Sequence, residues 1–95
     1  MINFAQRRVF ISGKEVCLTA TEYQVLYYLA RNAGKVILHE ELLSWVWGPE
    51  YRNEVQYLRS YIGSLRKKVE ADPSNPKYIL AKHGVGYYMA TEVDA

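Results

Sequence analysis

The spacing of hydrophobic and polar residues changes several times along the chain, and each change predicts a new structural element. Short apolar runs at residues 2–5, 9–11 and 16–18, separated by polar residues, predict a small antiparallel meander. From Thr19 the spacing becomes helical, because Thr19 can cap a helix and Glu22, three residues later, can complete a capping box. The first helix is therefore predicted over about residues 20–32, with a left-handed stop by Gly34.

Two further helices are predicted in the middle of the chain. The apolar run at residues 36–38 is too short for a helix and predicts a strand, and a short helix follows over residues 40–46. Asn53 and Gln56 form another possible capping box before a third helix over about residues 54–71, which Asp72-Pro73 ends. Its apolar stripe, at spacings of three and four, is Val55, Leu58, Ile62, Leu65 and Val69.

The last elements complete a recognisable order. Residues 78–82 and 87–90 predict the two strands of a terminal hairpin, joined through His83-Gly84-Val85-Gly86, whose glycines permit positive backbone angles. Meander, helix, strand, helix, long helix and hairpin together are typical of an α+β winged helix-turn-helix with a C-terminal β-hairpin wing. The length of 95 residues predicts one domain, residues 1–95.

Composition narrows the class of protein. Hydrophobic residues make up 49% and charged residues 23% of the chain, close to a soluble globular average, so disordered and membrane classes are not expected. No apolar stretch approaches the roughly 18 residues of a membrane span and no signal sequence is visible, so a cytoplasmic location is expected. The lone Cys17, between Val16 and Leu18, is predicted to be a buried core thiol.

Positive charge is concentrated on the third helix and the segment before it. The net charge of +2 alone is too small to indicate a nucleic-acid partner. Between residues 52 and 68, however, there are five basic residues and a single acid, Glu54, whereas Glu92 and Asp94 make the tail acidic. The five are Arg52, Arg59, Arg66, Lys67 and Lys68.

The outward face of the third helix is the candidate binding surface. Helical rotation places opposite the apolar stripe Gln56, Ser60, Gly63, Ser64 and Lys67. It places on one flank Tyr57, Tyr61 and Lys68, and on the other Arg59 and Arg66. An ordinary exposed helix is the simpler alternative. Gly63 favours binding, because a glycine inside a helix costs about 1 kcal/mol and suggests close approach of the backbone to a DNA groove.

Four strings of residues resemble the OmpR/PhoB family of response-regulator effector domains. They are residues 18–23, residues 40–43 with 46–48, residues 65–70, and residues 84–87. The resemblance covers nearly the whole chain. A narrower resemblance, to the Kdp-type regulators of potassium uptake, is carried by residues 47–49, 57–59, 61 and 65–66.

The resemblance implies the output domain of a bacterial two-component regulator. Its receiver domain, phosphorylated by a sensor kinase, would lie outside this chain. Such domains bind direct-repeat promoter sites in double-stranded DNA as head-to-tail dimers, and a loop before the third helix contacts RNA polymerase. The corresponding loop residues are Trp47, Gly48, Pro49, Glu50, Tyr51 and Arg52.

The resemblance also implies roles for individual residues. The groove helix would bind DNA through Gln56, Tyr57, Arg59, Tyr61, Gly63, Ser64 and Arg66, and the wing through Ala81 and His83. Residue chemistry adds Ser60, Lys67, Lys68 and Lys82 to this set. The arginines and lysines of the helix would contact phosphates, and Gln56 and the serines would contact base edges. Lys82 and His83 would enter a minor groove.

The chain departs from the family pattern at four positions. Ser64 and His83 stand where arginine is common, so a sequence preference does not transfer from relatives. Ala20 stands where proline is usual, and Leu38 where a capping serine is usual, which removes about 1 kcal/mol of cap stability.

The histidines, the tyrosines and the winged-helix fold each suggest another function. An enzyme is not expected, and neither is a metal or cofactor, because His39 and His83 are the only histidines and no catalytic constellation surrounds them or Cys17. Nine tyrosines raise single-strand binding by base stacking, but Tyr23, Tyr27 and Tyr87 suit core positions better. A winged helix used for protein contacts alone, or for generic nucleic-acid binding, remains the alternative.

Overall fold

Three short antiparallel strands form the first sheet. The structure, a computed structural model, describes residues 2–11 and 13–91. Strands β1 (Ile2–Asn3), β2 (Arg8–Ile11) and β3 (Lys14–Val16) pair in the order β1-β2-β3. The predicted meander is confirmed, while Ser12 of its second turn and the acidic residues Glu92 and Asp94 lie outside the described residues.

Cys17 is exposed, so the prediction of a buried core thiol is wrong. The reason is the position of the strand end. Strand β3 stops at Val16, and Cys17 lies in the link that leads to the helix cap at Thr19. The predicted third run, residues 16–18, therefore begins two residues too late.

Helix α1 (Ala20–Arg31) begins with the predicted capping box. The Thr19 hydroxyl accepts from the backbone N–H of Glu22 at 3.2 Å, and the backbone N–H of Thr19 donates to the Glu22 carboxylate at 2.9 Å. Beyond the helix, Gly34 has a φ of +87°. The left-handed residue expected there is confirmed.

Strand β4 (Ile37–Leu38) leads directly into helix α2 (His39–Trp47), a 3₁₀ turn (Pro49–Tyr51) and helix α3 (Val55–Val69). The capping box predicted from Asn53 and Gln56 does not form. The backbone N–H of Glu54 donates to the carbonyl of Tyr51 at 2.9 Å, so the turn continues as far as Glu54. Glu54 then occupies the N-cap without a side-chain hydrogen bond.

Strands β5 (Ile79–Lys82) and β6 (Gly86–Met89) form the predicted hairpin, and β4 joins them in the order β4-β6-β5. Gly84 in the turn has a φ of +73°, as expected. Gly86 does not adopt a positive φ. It is required for another reason: a β-carbon on Gly86 would overlap the carbonyl oxygen of Ile37 on the adjacent strand.

The core lies between the three helices and the C-terminal sheet. Its fully buried side chains include Val25, Leu29, Leu42, Leu43, Leu58, Leu65 and Ile79. Tyr23 and Tyr87 are buried as predicted, and Tyr27 packs against the edge of the core. The arrangement is the predicted α+β winged helix. Across residues 2–11 and 13–91, none of the helices has the length and apolarity to cross a membrane.

Candidate nucleic-acid interface

The apolar side of α3 faces the core, as the hydrophobic stripe predicted. Leu58 and Leu65 have no exposed surface, Ile62 is 1% exposed and Val69 is 3% exposed. Burial of four side chains at spacings of three and four fixes the rotation of the helix about its axis. The side of α3 opposite these residues must therefore face away from the core.

The outward side is open within the described part of the chain. Gln56, Ser60 and Lys67 are exposed. Gly63 is half-buried, yet a β-carbon built on it would find nothing within 4 Å beyond its own helix. These four residues form an uncovered strip along α3, which we call the open strip.

Two predicted contact residues of α3, Ser64 and Lys68, donate hydrogen bonds to Glu22 on α1. The Ser64 hydroxyl donates to one oxygen of Glu22 at 2.5 Å, and the Lys68 ammonium donates to the other at 2.6 Å. Glu22 is only 3% exposed. Ser64 and Lys68 therefore connect α3 to α1 in this structure, and their contacts with bases and phosphates stay a prediction.

The same contacts determine the charge of Glu22. Burial alone would raise its pKa, but the hydrogen bonds from Lys68, Ser64 and the backbone of Thr19 outweigh burial and hold the pKa at about 2. Glu22 is therefore a carboxylate at neutral pH, fully supplied with donors.

Arg66, predicted to contact a DNA phosphate from the flank of α3, makes an internal contact in this structure. Its Nε and one terminal nitrogen donate to the carbonyl oxygen of Ile79 in β5, at 3.2 and 2.9 Å. The guanidinium carbon lies 5.9 Å from the centre of the Tyr87 ring in β6. Arg66 thus reaches across both strands of the wing.

Aromatic rings cover one flank of α3. The Trp47 ring lies 5.0 Å from Tyr57 and 5.1 Å from Tyr61, measured between ring centres, and Tyr51 lies 6.2 Å from Tyr57. Tyr57 remains 42% exposed and Tyr51 39% exposed. These four rings, the aromatic flank, join the loop before α3 to the first turns of the helix.

The loop predicted to contact polymerase is mostly exposed. Trp47 and Gly48 are half-buried, and the remaining residues of the loop are exposed: Pro49, Glu50, Tyr51 and Arg52. Gly48 has a φ of +116°, a conformation that favours glycine, where the chain leaves α2.

The other flank and the wing carry further donors. Arg59 is exposed, and it lies near enough to His39 to lower the pKa of that imidazole, after the larger effect of burial. The His39 ring is half-buried 5.4 Å from Tyr87. Ala81, Lys82 and His83 at the wing tip are all exposed.

Two buried carboxylates that contact or follow α3, Glu22 and Glu70, were missed as site residues. Glu22 was recognised only as a helix cap, although a carboxylate that caps with one oxygen leaves the other free for a second helix. Glu70 is 7% exposed and accepts hydrogen bonds from backbone amides of Lys77, Tyr78 and Ile79. Within the described ranges, no group of three or more histidine, cysteine or acidic residues is placed to hold a metal ion.

Comparison with known proteins places this geometry among transcription regulators. A family model described as "Transcriptional regulatory protein, C terminal" matches residues 13–89. The transcriptional regulatory protein KdpE of Mycobacterium tuberculosis is 49% identical over 86 residues, which cover 90% of this chain and 38% of that protein. The KDP operon transcriptional regulatory protein KdpE of Escherichia coli is 41% identical over 86 residues, with the same two coverages. The chain thus spans well under half the length of these relatives.

Solved structures agree with the sequence relatives. The response regulator DrrB of Thermotoga maritima, an OmpR/PhoB homologue, superposes with a TM-score of 0.85 at 37% identity, over 94% of this chain and 40% of that one. The DNA-binding domain of RstA from Klebsiella pneumoniae, solved in complex with the RstA box, superposes with a TM-score of 0.85 at 28% identity. That match covers 94% of this chain and 88% of the RstA domain.

Proposed function

The chain belongs to the OmpR/PhoB family of transcriptional regulatory C-terminal domains, and from this premise we propose that it binds double-stranded DNA sequence-specifically to regulate transcription. It would act as the output domain of a two-component response regulator. The identities of 49% and 41% to KdpE proteins support control of a potassium-transport operon as its narrower role.

The main support for this proposal is the exposure of the open strip of α3. Its residues Gln56, Ser60, Gly63 and Lys67 lie opposite a fully buried face of α3, and no described part of the chain covers them. A helix exposed along one side in this manner can enter a major groove, which is how helix-turn-helix proteins read DNA. The RstA domain, which shares the fold, was solved bound to its DNA box.

Residue chemistry assigns roles along this surface. Arg59 and Lys67 would contact phosphates and supply most of the affinity. Gln56 can pair with adenine through two hydrogen bonds, whereas Ser60 discriminates poorly between bases. Lys82 and His83 would reach a minor groove from the wing tip. One domain would then have modest specificity, and a head-to-tail dimer on direct repeats would supply the rest.

The proposal extends to protein partners. A receiver domain and its sensor kinase are expected partners, because the OmpR/PhoB homologue DrrB is a response regulator. The loop from Trp47 to Arg52 would contact RNA polymerase, and its exposed ring of Tyr51 on the aromatic flank suits a protein contact. A cytoplasmic location belongs to the same proposal.

Titration of duplex binding against salt tests the proposal most directly. We expect the chain to bind a direct-repeat duplex from a Kdp-type promoter more tightly than a scrambled duplex of equal composition, measured by fluorescence anisotropy. With Arg59 and Lys67 at phosphates and the Lys82 ammonium in the minor groove, each displacing about one counterion, the logarithm of affinity should fall with a slope of about three per domain against the logarithm of salt concentration. Equal affinity for both duplexes would reject the Kdp-type assignment.

Single charge removals locate the interface. Lys67→Ala on the open strip should reduce the salt slope by about one, because one phosphate contact is lost. Lys14→Ala is the matched control, since Lys14 is an exposed lysine on β3 in the other sheet. Equal slopes for the two variants would exclude the open strip as the DNA-binding surface.

A further inference from the structure

The backbone of Ile79 is held on both sides by Arg66 of α3 and by Glu70, the C-cap residue that follows the helix. Its carbonyl oxygen accepts two hydrogen bonds from the Arg66 guanidinium, at 3.2 and 2.9 Å. Its N–H donates to the Glu70 carboxylate at 2.9 Å. Glu70 follows Arg66 by four residues, and its backbone N–H donates to the Arg66 carbonyl at 3.0 Å, so the two residues lie one turn apart at the C-terminal end of α3.

The contact extends beyond that one residue. The Glu70 carboxylate also accepts from the backbone amides of Lys77 at 2.8 Å and of Tyr78 at 3.0 Å. Arg66 lies against the Tyr87 ring in the second strand of the wing. Charged groups make stronger hydrogen bonds than neutral groups, and both of these are at least partly withdrawn from water. We call Arg66 and Glu70 the wing clamp.

Strand β5 lies at the edge of its sheet, and the clamp joins its first residue to the C-terminal end of α3. In the order β4-β6-β5, the only strand beside β5 within the described chain is β6. Ile79 begins β5, and Lys82 ends it opposite Gly86. A strand rises about 3.3 Å per residue, so the clamp sets the position of Lys82 from an anchor about 10 Å away.

We propose that Arg66 and Glu70 are positioning residues for DNA binding, which hold the wing tip at a fixed distance from the open strip of α3. This inference rests on the proposed function. It assigns Arg66 a role that differs from a phosphate contact, and it gives the buried acid Glu70 a role that favours binding. Fixing Lys82 before DNA arrives reduces the entropy lost when helix and wing bind together.

A double-mutant cycle between the clamp and the wing tip tests this inference. In the wild type, Lys82→Ala should weaken duplex binding about threefold to tenfold and reduce the salt slope by about one. In the Arg66→Met background, which keeps an apolar stem but no donors, Lys82→Ala should weaken binding less than about twofold, because the wing is no longer held. The same effect of Lys82→Ala in both backgrounds, an absent effect included, would overturn the clamp.

Glu70→Gln provides a second test, because the clamp and simple electrostatics predict opposite changes in DNA affinity. Removing a negative charge from a DNA-binding protein ordinarily strengthens binding. The clamp predicts weaker binding instead, because the amide group of glutamine offers one acceptor oxygen where the carboxylate has two. Unchanged or tighter binding by Glu70→Gln would contradict the inference.

Hydrogen exchange shows whether the variants act locally. We expect the amides of Lys77, Tyr78 and Ile79 to exchange faster in both clamp variants, while the amides of α1 stay protected. Equal acceleration throughout the chain would mean general loss of stability and would count against a positioning role. Failure of the proposed function is a separate result, since it would appear as weak binding that does not depend on sequence in the wild type.

Discussion

Replacing Gly63 with alanine should stabilise the fold and weaken DNA binding. Gly63 lies in the interior of α3, and its φ is outside the left-handed region. A β-carbon there meets nothing within 4 Å beyond the helix itself, so alanine fits without strain. Glycine is less favourable than alanine in a helix interior by about 1 kcal/mol, and this is the expected gain in the free energy of unfolding.

The two effects are measured separately. A gain of about 1 kcal/mol should raise the melting temperature by about 4 to 8 °C in a domain of this size. Binding should weaken about threefold to tenfold, equivalent to about 0.7 to 1.4 kcal/mol, because the added methyl group keeps the α3 backbone away from the base edges. Thermal unfolding and anisotropy titration on the same preparation give both values.

A control variant separates helix stabilisation from groove contact. Gln24→Ala also introduces alanine at an exposed helical position, but on α1. It should change stability by only a few tenths of a kcal/mol and leave binding unchanged. Equal or tighter DNA binding by Gly63→Ala would refute the idea that glycine permits close approach to a groove, and a lower melting temperature would refute the assignment of Gly63 to an unstrained helical site.

Three further predictions concern stability. Gly86→Ala should lower the free energy of unfolding by at least about 2 kcal/mol in urea, because its β-carbon overlaps the Ile37 carbonyl, and an undiminished midpoint would contradict this close approach. Leu38→Ser should raise the free energy of unfolding by about 1 kcal/mol, because Leu38 is the N-cap of α2 and its side chain cannot accept a hydrogen bond. Only the other half of the cap is present, in which the Leu38 amide donates to the Glu41 carboxylate at 3.1 Å. An unchanged melting temperature would refute this prediction. The pKa of Glu22, near 2, lies below its unfolded value, so its contribution is present above about pH 4.5 and is lost as pH falls towards 2. Glu22→Gln should therefore destabilise the fold at pH 7 by on the order of 2 kcal/mol, and the difference from wild type should shrink at pH 3; a constant difference between urea midpoints would exclude this linkage.

Local signals in the sequence predicted the elements well. The capping box of Thr19 and Glu22 needs only residues three apart, and it forms as predicted. The stripe of α3 needs only helical periodicity, and its members Leu58, Ile62 and Leu65 are buried. Errors arose where neighbouring elements compete for the same backbone, as at Asn53, where a continuing turn displaced the predicted cap by one residue.

Roles that depend on contacts between distant segments could not be read from the sequence. Ser64 and Lys68 point outward on a helical wheel, yet their partner Glu22 lies 42 and 46 positions away. Arg66 has the appearance of a phosphate ligand because it is a long basic residue on the flank of α3. Its partner is a backbone carbonyl, which leaves no trace in the residue type at Ile79. Spacing gives the direction of a side chain, but the packing of other elements decides what it meets.

The internal contacts of basic side chains reduce the number of positive charges that are free to bind DNA. The sequence predicted phosphate contacts for four basic residues of α3, Arg59, Arg66, Lys67 and Lys68, but Lys68 and Arg66 have internal partners. Moving Lys68 to a phosphate would leave the buried carboxylate of Glu22 without its cation, and an unpaired buried charge costs several kcal/mol, more than one exposed phosphate contact returns. Lys68 is therefore expected to remain on Glu22 in the complex. Under the proposed function, we therefore expect the affinity of α3 to depend on Arg59 and Lys67, and its selectivity on Gln56 together with how closely the groove can approach Gly63.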